Sequence, residues 1–179
     1  MARLKTVPRE EAEGIVKEGY ELFMKHIGTI PKPLEMLSVS PVLFELQFRR
    51  IQYLSQHPKL SFSLLAHIRY LVAHNLSYRF CMDFNKDILK KQGLSDEDFK
   101  RMEEDPSQSL LEDHENALLD FVVKCVKDPA SASSTDMENL RRMGWEERDL
   151  VDALSQGVSM IDHAIMMEVF QIDQSCRVD

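Results

Sequence analysis

Apolar residues recur at intervals of three and four along almost the whole chain, the spacing that gathers them on one face of an α-helix. It predicts a first helix from Pro8 to about His26, with Val16, Tyr20, Phe23 and Ile27 turned inward. Pro8 suits its first position, Glu10, Glu11 and Glu13 suit the positive end of its dipole, and Gly28 supplies the stop. Thr29 to Pro33 breaks the pattern, Leu34 to Val39 reads as a short helical piece, and Ser40-Pro41 opens a helix running to about Ser55. From Ser61 to Gln92 the positions of Leu64, Ile68, Leu71, Phe80, Phe84 and Ile88 predict one long helix or two nearly collinear ones, capped by Gly93. Ser95 to Asp98 has the Ser-x-x-acid form of a new N-terminus, for a short helix to Glu103. Leu110 to Lys127 forms the next amphipathic segment, and a helix from Ser134 stops at Gly144. Trp145 to about Ile172 gives the last, with Leu150, Leu154, Val158, Ile161, Ile165 and Val169 on its buried side. The chain is therefore expected to be all-α.

Composition narrows the class. A hydrophobic share of 44% over 179 residues is enough for a core, and one domain spanning 1–179 is the expectation. The six glycines and seven prolines fall mostly where helices are punctuated. A net charge of -8 argues against nucleic acid or an anionic membrane surface as partner. No apolar run reaches the length of a membrane span, and the N-terminus MARLKTVPREEAEG has no apolar signal core, so the expected location is the cytoplasm. Cys81, Cys125 and Cys176 are odd in number and far apart, and are read as thiols kept reduced.

The stretch from Ala73 to Glu97, AHNLSYRFCMDFNKDILKKQGLSDE, resembles the signature helix of the alkylhydroperoxidase AhpD / carboxymuconolactone decarboxylase family. That helix carries a Cys-x-x-Cys pair, a His four residues on, and an exit of the kind seen here as Gly93-Leu94-Ser95. Gly28 to Pro33 and Ser40-Pro41 resemble the family's leading segment. Glu115 to Phe121, Asp128-Pro129 and Leu140 to Gly144 resemble its trailing half. The resemblance implies an AhpD-like multi-helix domain with one long central helix carrying the motif, a homo-oligomer (a trimer or larger ring), and no cofactor. It also implies peroxidase-related thiol chemistry, with Cys81 as the attacking cysteine.

At the other positions the family pattern is altered. Tyr78 stands where the resolving cysteine would be, Asn85 where the His would be, and Ala66 where a proton-handling Glu would be. A tyrosine cannot form a disulfide with a sulfenic acid, and neither Ala66 nor Asn85 exchanges a proton at neutral pH.

Taken at about 100° per residue on one helix, His67, His74, Tyr78, Cys81 and Asn85 fall on one face and could line a small pocket. His163, from the last helix, could supply the missing base. The residues leave three readings open. Cys81 is a one-cysteine nucleophile recycled by an external thiol, or it is a small buried hydrophobe in a non-catalytic binding or scaffold protein. In the third, His67, His74 and His163 hold a metal across helices.

Overall fold

The structure, a computed structural model, describes residues 3–172, and Cys176 lies outside them. Among the described residues there are nine α-helices, three one-turn 3-10 segments and no strand, and none of these helices is long and apolar enough to cross a membrane. They gather into two compact units, one of residues 3–56 and 165–172 and the other His57–Ala164.

The first unit contains α1 (Gly14–Ile27), α2 (Lys32–Leu37) and α3 (Pro41–Ser55). Pro8 opens only the 3-10 turn Arg9–Glu11. Ala12 and Glu13 are extended, so α1 starts at Gly14 and the acids Glu10, Glu11 and Glu13 precede it instead of filling its first turn. The expected stop holds: Gly28 is left-handed at φ 75° and its N–H donates to the Met24 carbonyl at 3.2 Å. Of the predicted inner face Val16 and Tyr20 are buried, Phe23 is half-covered and Ile27 is exposed. Tyr20 meets Phe44 edge-on at 5.8 Å, and Phe44 lies 6.2 Å from Phe48, an aromatic cluster that holds α1 on α3. The Tyr20 hydroxyl donates to the Val7 carbonyl at 3.1 Å, which satisfies the polar end of a buried ring. The outer face of α3 exposes Val42, Leu43 and Leu46.

The second unit is built around α4 (Phe62–Asn75), with α5 (Arg79–Lys91), α6 (Asp96–Glu104), α7 (Asp113–Lys127), α8 (Ser134–Arg142) and the first part of α9 (Glu147–Val169). α4 is apolar nearly all round, as a helix covered on every side must be, and it packs on α5, α6 and α7. Ser95 with Asp98, and Ser133 with Asp136, form reciprocal capping boxes that start α6 and α8.

Two expectations are corrected in this unit. The segment Ser61–Gln92 is two helices, and they fold back on each other instead of running collinearly. The Ser63 hydroxyl at the start of α4 donates to Gln92 Oε1 at 2.8 Å, just past the end of α5. The chain reverses at Ser77, which is left-handed at φ 54°. There the Ser77 N–H reaches the His74 carbonyl at 3.0 Å and the Tyr78 N–H reaches the Ala73 carbonyl at 2.8 Å, the paired bonds of a Schellman ending. The second correction concerns α9, where Val158, Ile165 and Val169 are exposed while Leu150, Ala153, Gly157, Met160 and His163 are buried. A Cβ at Gly157 would lie 2.8 Å from Val122 Cγ1 of α7. The small residues therefore take the close-packed face, and the Val and Ile stripe faces outward.

Candidate functional site

The hairpin turn decides what surrounds Cys81. Tyr78 is the N-cap of α5 and Cys81 its third residue, in the first turn where backbone N–H groups have no intrahelical acceptor and the dipole favours an anion. One turn on, Asn85 is fully buried and its Nδ2 donates to the Cys81 carbonyl at 2.7 Å. Its Oδ1 accepts from Arg69 Nε of α4, also at 2.7 Å. Asn85 thus fixes a guanidinium from the facing helix beside the start of α5.

Electrostatics tie the same groups together. Burial pulls the Arg69 guanidinium down to about 10, and the Cys81 sulfur acts in the opposite sense. At neutral pH Arg69 remains a cation, and among the described residues no carboxylate pairs with it. Burial pushes the Tyr78 phenol far above its ordinary range, and Cys81 pushes it the same way. The Tyr78 hydroxyl is buried and makes no well-formed hydrogen bond to a described residue, and the Cys81 sulfur lies within its reach. Cys81 is a thiol, 6% exposed.

Of the five residues expected on one helical face, only Tyr78, Cys81 and Asn85 sit on the α5 side of the turn. His67 and His74 belong to α4 and have other partners. His67 is fully buried with Nδ1 on the Ser63 carbonyl at 2.8 Å, so its proton is on Nδ1 and Nε2 is an acceptor that no hydrogen-bond donor meets. His74 stacks on Tyr70, with Nε2 3.9 Å from Glu103 Oε2, while the Tyr70 hydroxyl donates to the other oxygen of Glu103. Burial, then the Glu103 contact, raises the Tyr70 phenol. His163 is buried on α9. Cys125 is buried on α7 among Phe121 and Val122, and burial raises its thiol, as suits a packing residue. Among the described residues no group of three or more His, Cys, Asp or Glu is placed to hold a metal ion, so the three-histidine reading has no site behind it.

The burial of His67 has a measurable consequence. Desolvation lowers it from 6.5, against smaller opposing effects of the Ser63 carbonyl and Glu115. The unfolded chain takes up this proton near pH 6.5 and the folded chain does so only at lower pH, so its contribution to stability is complete above 6.5 and is lost as pH falls below it. Urea unfolding at pH 5.5 and 7.5 should show a smaller pH difference in His67→Gln than in the parent. Equal differences would contradict the assignment.

Sequence reasoning passed over two polar groups. Arg69 interrupts the apolar run Leu64–Ala73, and a guanidinium in such a run needs a buried partner; that signal was present. His57 accepts the Leu60 N–H at 2.9 Å and the Lys59 N–H at 3.2 Å on Nδ1, and its Nε2 faces Asp152 Oδ2 at 3.2 Å and Asp149 Oδ1 at 3.7 Å. With Lys59, which donates to Glu146 Oε1 at 2.8 Å, it ties the approach to α4 to the start of α9. A groove of about 500 Å3 between α7 and α8, lined by Ala117, Phe121, Asp136 and Met143 among others, contains none of the residues gathered at Cys81.

The sequence matches no family model and no curated protein. Its fold is similar to that of an uncharacterized peroxidase-related protein with an alkylhydroperoxidase AhpD core from Ralstonia eutropha JMP134. That match has a TM-score of 0.81 and 15% identity, and covers 98% of this chain and 93% of that one. An uncharacterized peroxidase-related protein from Silicibacter sp. TM1040 gives a TM-score of 0.75 at 15% identity, over 98% of this chain and 92% of that one. A protein of unknown function from Agrobacterium tumefaciens that bears the name of the antioxidant defence protein AhpD gives 0.62 at 19% identity, over 79% of this chain and 96% of that one. At these identities the likeness establishes a shared all-α, AhpD-like fold, and function has to be argued from the site.

Proposed function

We propose that this chain, which has the AhpD-like helical fold, is a thiol-dependent oxidoreductase that reduces peroxides through Cys81 alone. The observation that carries the reading is Arg69. A part-buried guanidinium with no carboxylate beside it among the described residues is costly, and the sulfur of Cys81 is the group positioned to supply its counter-charge. The first turn of α5 favours the same anion.

In this reading the Cys81 thiolate attacks the terminal oxygen of a hydroperoxide. An S–O bond forms, the O–O bond breaks, and the alcohol or water leaves after taking a proton from solvent. The sulfur is oxidised by two electrons and the peroxide is reduced by two. Tyr78 cannot form a disulfide, so recycling needs an external thiol. Its sulfur attacks the sulfenic sulfur and water leaves; a second thiol then attacks the mixed disulfide, which releases the oxidised thiol pair and restores Cys81.

Peroxide treatment followed by a dione reagent specific for sulfenic acid should place an adduct on Cys81. Peroxide consumption should require added thiol and be absent in Cys81→Ser. No adduct and no thiol-dependent consumption would remove this function. That outcome would leave the second reading, a non-catalytic binding protein, which the near-complete burial of Cys81 favours.

A further inference from the structure

The Tyr78 hydroxyl is the buried polar group that those steps leave unused. Its residue is 2% exposed, and its hydroxyl makes no well-formed hydrogen bond to a described residue; the group within its reach is the Cys81 sulfur, a weak acceptor, although nearly every buried polar group in a protein finds a good partner. It does not cap its own helix, since Tyr78 occupies the N-cap of α5 without a side-chain bond to any backbone N–H. For packing alone a phenylalanine would do as well without burying an oxygen. The phenol stands one turn before Cys81 at the start of the same helix, within electrostatic and hydrogen-bonding reach of the sulfur. A thiol is a poor partner for a phenol, whereas an oxygen carried on that sulfur is a good one.

We propose that Tyr78 binds the sulfenic acid of Cys81: once the sulfur carries an oxygen, the phenol O–H donates to it and holds the oxidised site as a persistent state. The inference rests on Cys81 being the nucleophile of the proposed function. A hydrogen bond to the sulfenate oxygen withdraws electron density from the sulfur, and the Arg69 cation acts in the same direction. Both slow attack on a second peroxide, the step in which a further S–O bond forms, an O–O bond breaks, water leaves and the sulfinic acid results. With a phenol in place of a neighbouring thiol, the oxidised state ends when an external thiol attacks it. The site is thereby suited to holding one oxidising equivalent until that thiol arrives.

The test compares the full chain with its Tyr78→Phe variant, oxidised by one equivalent of hydrogen peroxide and then challenged with an excess. Sulfenic acid is trapped with the dione reagent at timed intervals, and sulfinic acid is followed by intact mass. Measured relative to the first oxidation in the same protein, loss of the sulfenic acid to sulfinic acid should be roughly tenfold faster in Tyr78→Phe, the scale of one charge-assisted hydrogen bond. Because the hydroxyl has only a weakly accepting sulfur within reach in the thiol state, the melting temperature should stay level or rise. Sulfenic acid of equal lifetime in both proteins would overturn the role of Tyr78 while leaving the proposed function standing. A variant that melts lower and speeds both oxidation steps alike would reduce Tyr78 to a packing residue. No sulfenic acid in either protein would overturn the nucleophile and this inference together.

Discussion

Arg69→Met should slow the reaction of Cys81 with peroxide or a small alkylating agent by roughly 10- to 100-fold at neutral pH, with little change in stability. The rate follows the thiolate fraction, and an adjacent cation favours the charged form of an acid by about one to three pKa units. The stability terms oppose each other. Loss of the Nε donor leaves Asn85 Oδ1 unmet, a penalty of about 1–3 kcal/mol. An unbranched apolar side chain, however, removes the desolvation of a guanidinium, and such exchanges are often neutral. The informative measurement is the rate against pH, which should shift to higher pH in the variant and return part of the way in Arg69→Lys. A superimposable profile would show that Arg69 does not act on the sulfur.

Gly19→Ala should destabilise the first unit by about 2 kcal/mol, seen as a lower urea midpoint with an unchanged slope. A Cβ at Gly19 would stand 2.6 Å from Phe44 Cε1 and Cζ, well inside van der Waals contact. Phe44 is fully buried between Tyr20 and Phe48, so the ring has nowhere to withdraw without disturbing both. Overpacking of this kind costs about 1–3 kcal/mol, and here the upper end applies. The better helix propensity of alanine offsets up to about 1 kcal/mol. Shortening the ring in Gly19→Ala with Phe44→Leu should recover part of the loss relative to the two single changes. A Gly19→Ala protein as stable as the parent would show that α1 and α3 separate readily.

The contrast between two helix endings shows what could be read in advance. α5 and α8 end in Schellman turns with glycine in the left-handed position, Gly93 at φ 101° and Gly144 at φ 95°, and both stops were legible because glycine advertises that conformation. α4 ends in the same turn with Ser77 in that position, so the sequence offered no break and the helix was extrapolated through it. That single residue carries the largest difference between expectation and structure. It turns a continuous helical face into a hairpin, parts His67 and His74 from the α5 residues, and brings Arg69 in their place. The capping boxes at Ser95 and Ser133 work within four residues, and the first was read directly.

The sequence by itself determined the all-α class and most helix ends, and it placed Tyr78, Cys81 and Asn85 within one helical stretch. These follow from periodicity and from bonds that close within a few residues, so local order suffices. Only the tertiary structure decided the companions of Cys81 and the buried side of α9. The first depends on a guanidinium reaching across from another helix to Asn85. The second depends on the close approach of Gly157 to Val122, where the absence of a side chain counts for more than hydrophobicity. Both are set by packing between segments distant in sequence, and helical periodicity carries no record of which neighbour will come closest.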